Sequence, residues 1–206
     1  MNGITLHEGD LPEGLDFGAE VAVDSETMGL HPHRDALCVV QLSSGDGTAH
    51  VVRLDRRGGY DCPRLKALLA DPSVLKIFHF ARFDIAAVKH WLGVDCAPVW
   101  CTKIASKLAR TYTDRHGLKD VVKEIAGVDL SKAQQSSDWG AEALSDAQLQ
   151  YAASDVLHLH AVKAGLEAML AREGRADLAQ ACFDFLPTRA ELDLSGWADS
   201  DIFAHS

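Results

Sequence analysis

The chain has 206 residues, 47% hydrophobic and 24% charged, with a formal net charge of −10. That length buries a core without disulfides or a structural metal, and the composition excludes a disordered or low-complexity chain. No apolar run approaches the roughly 18 residues of a membrane span, and five cysteines without a CxxC pair argue against a disulfide framework.

In chain order, residues 1–18 lack a basic region followed by an apolar stretch, so no signal peptide is expected and a reducing, cytoplasmic setting fits. Residues 21–24 (Val-Ala-Val-Asp), 37–42 (Leu-Cys-Val-Val-Gln-Leu) and 50–54 are three predicted strands, the last two separated by Ser43-Ser44-Gly45-Asp46-Gly47. Their short connections predict an antiparallel meander. Leu65, Leu68 and Leu69 at helical spacing predict a helix over 63–70, ended by Asp71-Pro72, and 74–78 is a fourth strand. A helix follows over about 81–92 on the face of Ile85, Val88 and Leu92.

The remainder is predicted to be mostly helical, with short helices over 102–109 and 118–126, the second closed by Gly127. Ser145 and Gln148 form a capping box that opens a helix carrying Leu149, Ala152, Val156, Leu159, Leu166 and Leu170 to about Gly174. From Pro187 onward the polar, turn-rich sequence predicts no element. The order of elements specifies an α/β layered domain with a helical C-terminal half.

The residues with chemical potential are acids. Asp24 and Glu26, two apart on a strand, project from one face, where two like charges need a cation or a shared proton. Asp84 lies where the fourth strand meets a helix, a position where α/β folds gather active-site groups. Tyr151 and Asp155 share one face of the capped helix. An all-oxygen set without paired Cys or His points to Mg²⁺ or Mn²⁺, and four carboxylates can hold two such ions about 3.5–4 Å apart for displacement at phosphorus. One ion would lower the pKa of a bound water and the other would stabilise the leaving 3′-oxygen, while the Tyr151 phenol aims the water. His31-x-His33 and His158-x-His160 fit surface or packing roles, and Trp91, Trp100, Trp139 and Trp197 fit packing anchors.

Asp24-x-Glu26, His79-Phe80-Ala81-Arg82-Phe83-Asp84 and Tyr151-x-x-x-Asp155 together resemble the three motifs of the DEDD exonuclease superfamily in its tyrosine subgroup. The closer resemblance is to the ribonuclease D family, supported by residues 65–83, 132–139 and 151–156. It covers about 21–170. The resemblance implies an RNase H-like fold, a mixed five-stranded sheet whose first three strands are antiparallel, flanked by helices. It also implies a two-metal 3′-5′ exoribonuclease that releases nucleoside 5′-monophosphates from a free 3′ end. Asp24 would bridge both ions, Glu26 and Asp155 would complete the first site, and Asp84 would hold the second. Thr27 and Met28 match positions that contact the terminal nucleotide, Met28 as an apolar wedge. Lys132 and Gln135 match a segment near the substrate strand, and His79, directly before the second motif, is placed to contact substrate.

The family's helical HRDC-type accessory domain is not expected, because the chain stops some thirty-six residues after the exonuclease homology. Residues 1–206 are expected to form one exonuclease domain, with a core at about 20–172 and a C-terminal helix and tail at 175–206. A DNA exonuclease of proofreading or Werner type is the alternative activity, and a catalytically silent nucleic-acid-binding module is an alternative of another class. The sequence leaves a homo-oligomer open. Residues 100–135 carry seven Lys/Arg against four Asp/Glu, between two acidic stretches, so nucleic acid is expected to approach the basic segment Lys103 to Lys123.

Overall fold

The computed structural model describes residues 3–131 and 133–205. One mixed sheet contains β1 (Ile4–Glu8), β2 (Glu20–Thr27), β3 (Leu37–Ser43), β4 (Ala49–Arg53), β5 (Leu75–Phe78) and β6 (Val99–Cys101), in the order β1-β4-β3-β2-β5-β6. The predicted meander is present: β2 pairs antiparallel with β3, and β3 with β4. Between β3 and β4, Gly45 and Gly47 adopt φ of 80° and 87°, and Asp46 Oδ1 accepts from the Thr48 amide at 2.8 Å. A Cβ on Gly45 would also lie 2.8 Å from the His160 ring, so this turn requires glycine twice over.

The sheet has six strands where the family resemblance implied five. The additional strand is β1, which pairs parallel with β4 at the edge. Only partly buried, Ile-Thr-Leu-His-Glu carries no continuous apolar run and gives no strand signal of its own. Strand β6 is likewise too short to stand out.

Helix α1 (Pro63–Ala70) carries the chain from β4 to β5. Helix α2 (Ala81–Leu92) then carries it from β5 to β6, and both β2-β5 and β5-β6 are parallel pairs. Helices α3 (Thr102–Ala109) and α4 (Leu118–Ala126) follow, as the spacing predicts. The capping box is in place: the Gln148 amide donates to Ser145 Oγ at 3.3 Å, and the Ser145 amide to Gln148 Oε1 at 2.9 Å.

The single long helix predicted after it is two, α5 (Asp146–Leu157) and α6 (Leu159–Arg172), broken at His158. The periodicity runs through the break because both halves bury an apolar face, α5 against β2, β3 and β4, and α6 against α3 and α4. A straight helix would reach only one of these partners.

The C-terminal region is also more regular than the sequence suggests. Helix α7 (Ala176–Leu192) passes through Pro187 and ends in a π-helical turn, Asp193–Trp197. Proline interrupts a helix by about 3 kcal/mol. Here tertiary packing offsets it: Ala179, Phe183, Leu186 and Ala190 join the main core, and the Phe183 ring lies 5.0 Å from that of Trp100. Asp193, nearly buried, accepts from both Arg82 on α2 and Arg189 on α7. Among the described residues, no helix is long and apolar enough to cross a membrane.

Candidate active site

Strand β2 ends beside an open groove of about 650 Å³ whose walls include Asp24, Glu26, Thr27, Met28, His79, Phe80, Lys103, Lys119, Gln135, Trp139, Tyr151 and Asp155. Strand alternation turns Asp24 and Glu26 to one face. Helix α5 packs across that face and delivers Asp155, with Tyr151 one turn before it. Carboxylate oxygens of Asp24, Glu26 and Asp155 all lie within 4.8 Å of one another.

Asp84 stands beside this trio rather than in it. It lies in the first turn of α2, only 3% exposed, and its Oδ1 accepts from Ser25 Oγ at 2.6 Å. Ser25, between the two strand acids, thus ties the second motif to the first.

The electrostatics follow from crowding acids away from water. Burial raises Glu26 to about 10, and repulsion from Asp24, Asp155 and Asp84 adds to it. Burial raises Asp155 to about 8, with Asp24 adding to it, and Asp24 itself to about 7 against the opposing hydrogen bonds of the Ser25 backbone and Gln41. Asp84 is raised by burial and then by Asp24. Such a cluster favours a proton or a cation between its members. Burial and the neighbouring Asp155 raise the Tyr151 phenol as well, so it is a neutral donor at any working pH.

His79 is neutral for the same reason: burial, then repulsion from Lys103, lowers it to about 3. Thr102 Oγ1 donates to Phe78 O at 3.2 Å and meets His79 Nδ1 at 2.8 Å. His79 Nε2 has no hydrogen-bond partner among the described residues.

Thr27 Oγ1 donates to Gly29 O. Met28 is 54% exposed, its sulfur 3.0 Å from Arg56 Nη1, and Arg56 in turn holds Gly140 O at 2.7 Å. Gln135 is exposed and lines the same groove. Lys132 lies outside the described residues.

The basic segment divides in a way its composition does not reveal. Lys103 and Lys119 line the groove. Asp129 stands 3.7 Å from Lys119 and 2.7 Å from Lys123, which does not line the groove, and Arg110 is buried beneath Glu124. Two further residues at the site were not singled out by the sequence. Phe80 holds a left-handed backbone (φ 70°), is 44% exposed, and has the Lys103 ammonium 4.1 Å from its ring centroid. Gln41, on β3, donates from Nε2 to Asp24 Oδ2 at 2.7 Å. A polar residue at the centre of an apolar strand was the only available sign of it.

The family described as 3′-5′ exonuclease matches residues 10–171. Ribonuclease D of Acidiphilium cryptum is 41% identical over 158 residues, 76% of this chain and 39% of that protein, so the chain spans about two fifths of the length of this curated relative. Among solved structures, Brucella melitensis NrnC with bound Mg²⁺ is 58% identical with a TM-score of 0.94, covering 99% of this chain and 100% of the other. The same nuclease bound to pGG is 59% identical with a TM-score of 0.95, covering 99% of each. With its motifs gathered on one groove and this match across most of its length, the chain belongs to the 3′-5′ exonuclease family, in its ribonuclease D-like part.

Proposed function

We propose that the chain is a metal-dependent 3′-5′ exoribonuclease that hydrolyses the last phosphodiester from a free 3′ end and releases nucleoside 5′-monophosphates. The observation that carries this reading is the trio of carboxylates within 4.8 Å at the floor of the groove. Hard oxygen donors, crowded and short of water, fit Mg²⁺ or Mn²⁺. Asp24, Glu26 and Asp155 would hold one ion, and Asp24 with Asp84 a second. When bound, the ions supply a hydroxide-like water near neutral pH and charge stabilisation for the leaving 3′-oxygen.

The chain's own groups do the rest. Tyr151 donates a hydrogen bond that aims the attacking water, since its raised pKa denies it the role of base. Ser25 holds Asp84, and Gln41 holds Asp24. Met28 presents an apolar edge to the terminal base, with Thr27 beside it, and Gln135 lines the same groove. His79 offers a neutral ring to the groove. Lys132 belongs to the same substrate segment in this proposal. Lys103 and Lys119 attract the phosphates.

The groove is within the volume range of small-molecule sites, which suits the last nucleotides of a strand rather than a duplex. The pGG bound by the Brucella relative supports a short RNA end as the occupant. The described residues are proposed to act as one exonuclease domain, since α7 shares the main core. Five free cysteines suit a cytoplasmic setting.

The test is incubation with 5′-labelled RNA and DNA oligonucleotides of matched sequence, with free or blocked 3′ termini, in Mg²⁺, Mn²⁺ or EDTA. Stepwise shortening of RNA from the free 3′ end, with nucleoside 5′-monophosphates as products and none in EDTA, is expected. Cleavage indifferent to the 3′ block or to EDTA overturns the proposal.

A further inference from the structure

Gln41 is fully buried at the centre of β3, whose other residues are Leu37, Cys38, Val39, Val40, Leu42 and Ser43. It stands directly opposite Asp24 in the antiparallel β2–β3 register, so the two side chains share one face of the sheet. Its Nε2 donates to Asp24 Oδ2 at 2.7 Å, while its Oε1 has no hydrogen-bond partner among the described residues.

A buried amide with one end unpaired works against folding, and an apolar side chain would serve this strand better. The residue is therefore accounted for by what its donor end does. That end faces the acids: the same amide opposes the upward displacement of Glu26 as well as of Asp24. We infer that Gln41 is a positioning residue, whose amide orients Asp24 for divalent-cation binding and does not touch the cation or the substrate.

This rests on the metal-dependent reading of the site, and its consequences are separable from that reading. An outer partner that orients metal-binding carboxylates changes metal affinity about 10–100-fold when removed. A residue serving only the core changes stability instead.

The experiment is titration of Mn²⁺ alone into protein without substrate, followed by loss of the free-ion electron paramagnetic resonance signal, for the unaltered chain and Gln41→Met. Thermal unfolding in EDTA runs in parallel. The expected result is a dissociation constant for Mn²⁺ raised at least tenfold in Gln41→Met, with the metal-free Tm within about 4 °C of the unaltered protein. Equal Mn²⁺ affinity in the two proteins overturns the inference and leaves the site reading standing, whatever happens to Tm. Failure of the unaltered protein to bind Mn²⁺ overturns the site reading and the inference with it. Should Gln41→Met not fold, Gln41→Leu is judged by the same titration; failure of both to fold overturns the inference, since Gln41 would then serve the core.

Discussion

Replacing Asp24 by asparagine should stabilise the metal-free protein while abolishing cleavage. The carboxylate oxygens of Asp24, Glu26 and Asp155 lie within 4.8 Å of one another. At that distance and an effective dielectric constant of about 20, each like-charged pair repels by about 3 kcal/mol. Proton uptake caps the penalty, because holding one proton at pH 7.5 on an acid of ordinary pKa near 4.5 costs about 4 kcal/mol. Asparagine keeps a carbonyl acceptor for Gln41 Nε2 and removes the charge, so a gain of about 2–4 kcal/mol is expected.

For a chain of this size that is a rise in Tm of about 5–10 °C in EDTA at pH 7.5. The pH dependence has a definite sign. Folded-state values of about 7, 8 and 10 for Asp24, Asp155 and Glu26 exceed those of the unfolded chain. The contribution of these acids to stability is therefore fully present below about pH 4 and is lost as pH rises through the folded values. At pH 5 the gap between variant and unaltered protein should shrink below about 1 kcal/mol. Saturating Mg²⁺ should raise the Tm of the unaltered protein and not that of Asp24→Asn. Thermal unfolding by circular dichroism, with and without EDTA at the two pH values, measures all of this. A variant Tm at or below that of the unaltered protein in EDTA at pH 7.5 would refute the repulsion on which the site reading depends.

Tyr151→Phe should lower kcat about 10–100-fold with KM nearly unchanged, as expected if the phenol aims water without binding substrate; an unaltered kcat in single-turnover kinetics removes that proposed role. Lys103→Ala combined with Lys119→Ala should raise KM and reduce the salt slope of RNA binding by about 1.4, two phosphate contacts on a single strand. Lys123→Ala, whose ammonium is already held by Asp129, should leave the slope as it is, and an equal effect of all three would move the groove elsewhere.

Much of this site was legible because its signals are local. An alternation of two along β2 aligns Asp24 with Glu26, and a spacing of four along α5 aligns Tyr151 with Asp155, whatever the rest of the chain does. The capping box needs only four residues, and it located the start of α5. The β2-β3-β4 meander announced itself through β-branched runs and a glycine turn. Other features depend on neighbours distant in sequence. The partition of the basic segment is one, since only folding puts Glu124 over Arg110 and turns Lys103 and Lys119, but not Lys123, to the groove.

Local composition thus decided which groups the site could offer: carboxylates without paired Cys or His, carried on elements whose periodicity dictates which side chains travel together. Tertiary packing decided what periodicity cannot express. It set β1 on the sheet edge, bent the predicted long helix at His158 so that two faces find two partners, and carried α7 through Pro187 on the strength of Phe183 and Asp193. It also placed Ser25 against Asp84 across 59 residues and Gln41 against Asp24 across 17. Hydrogen bonds between distant segments have no repeat along the chain, so only the folded molecule reveals them.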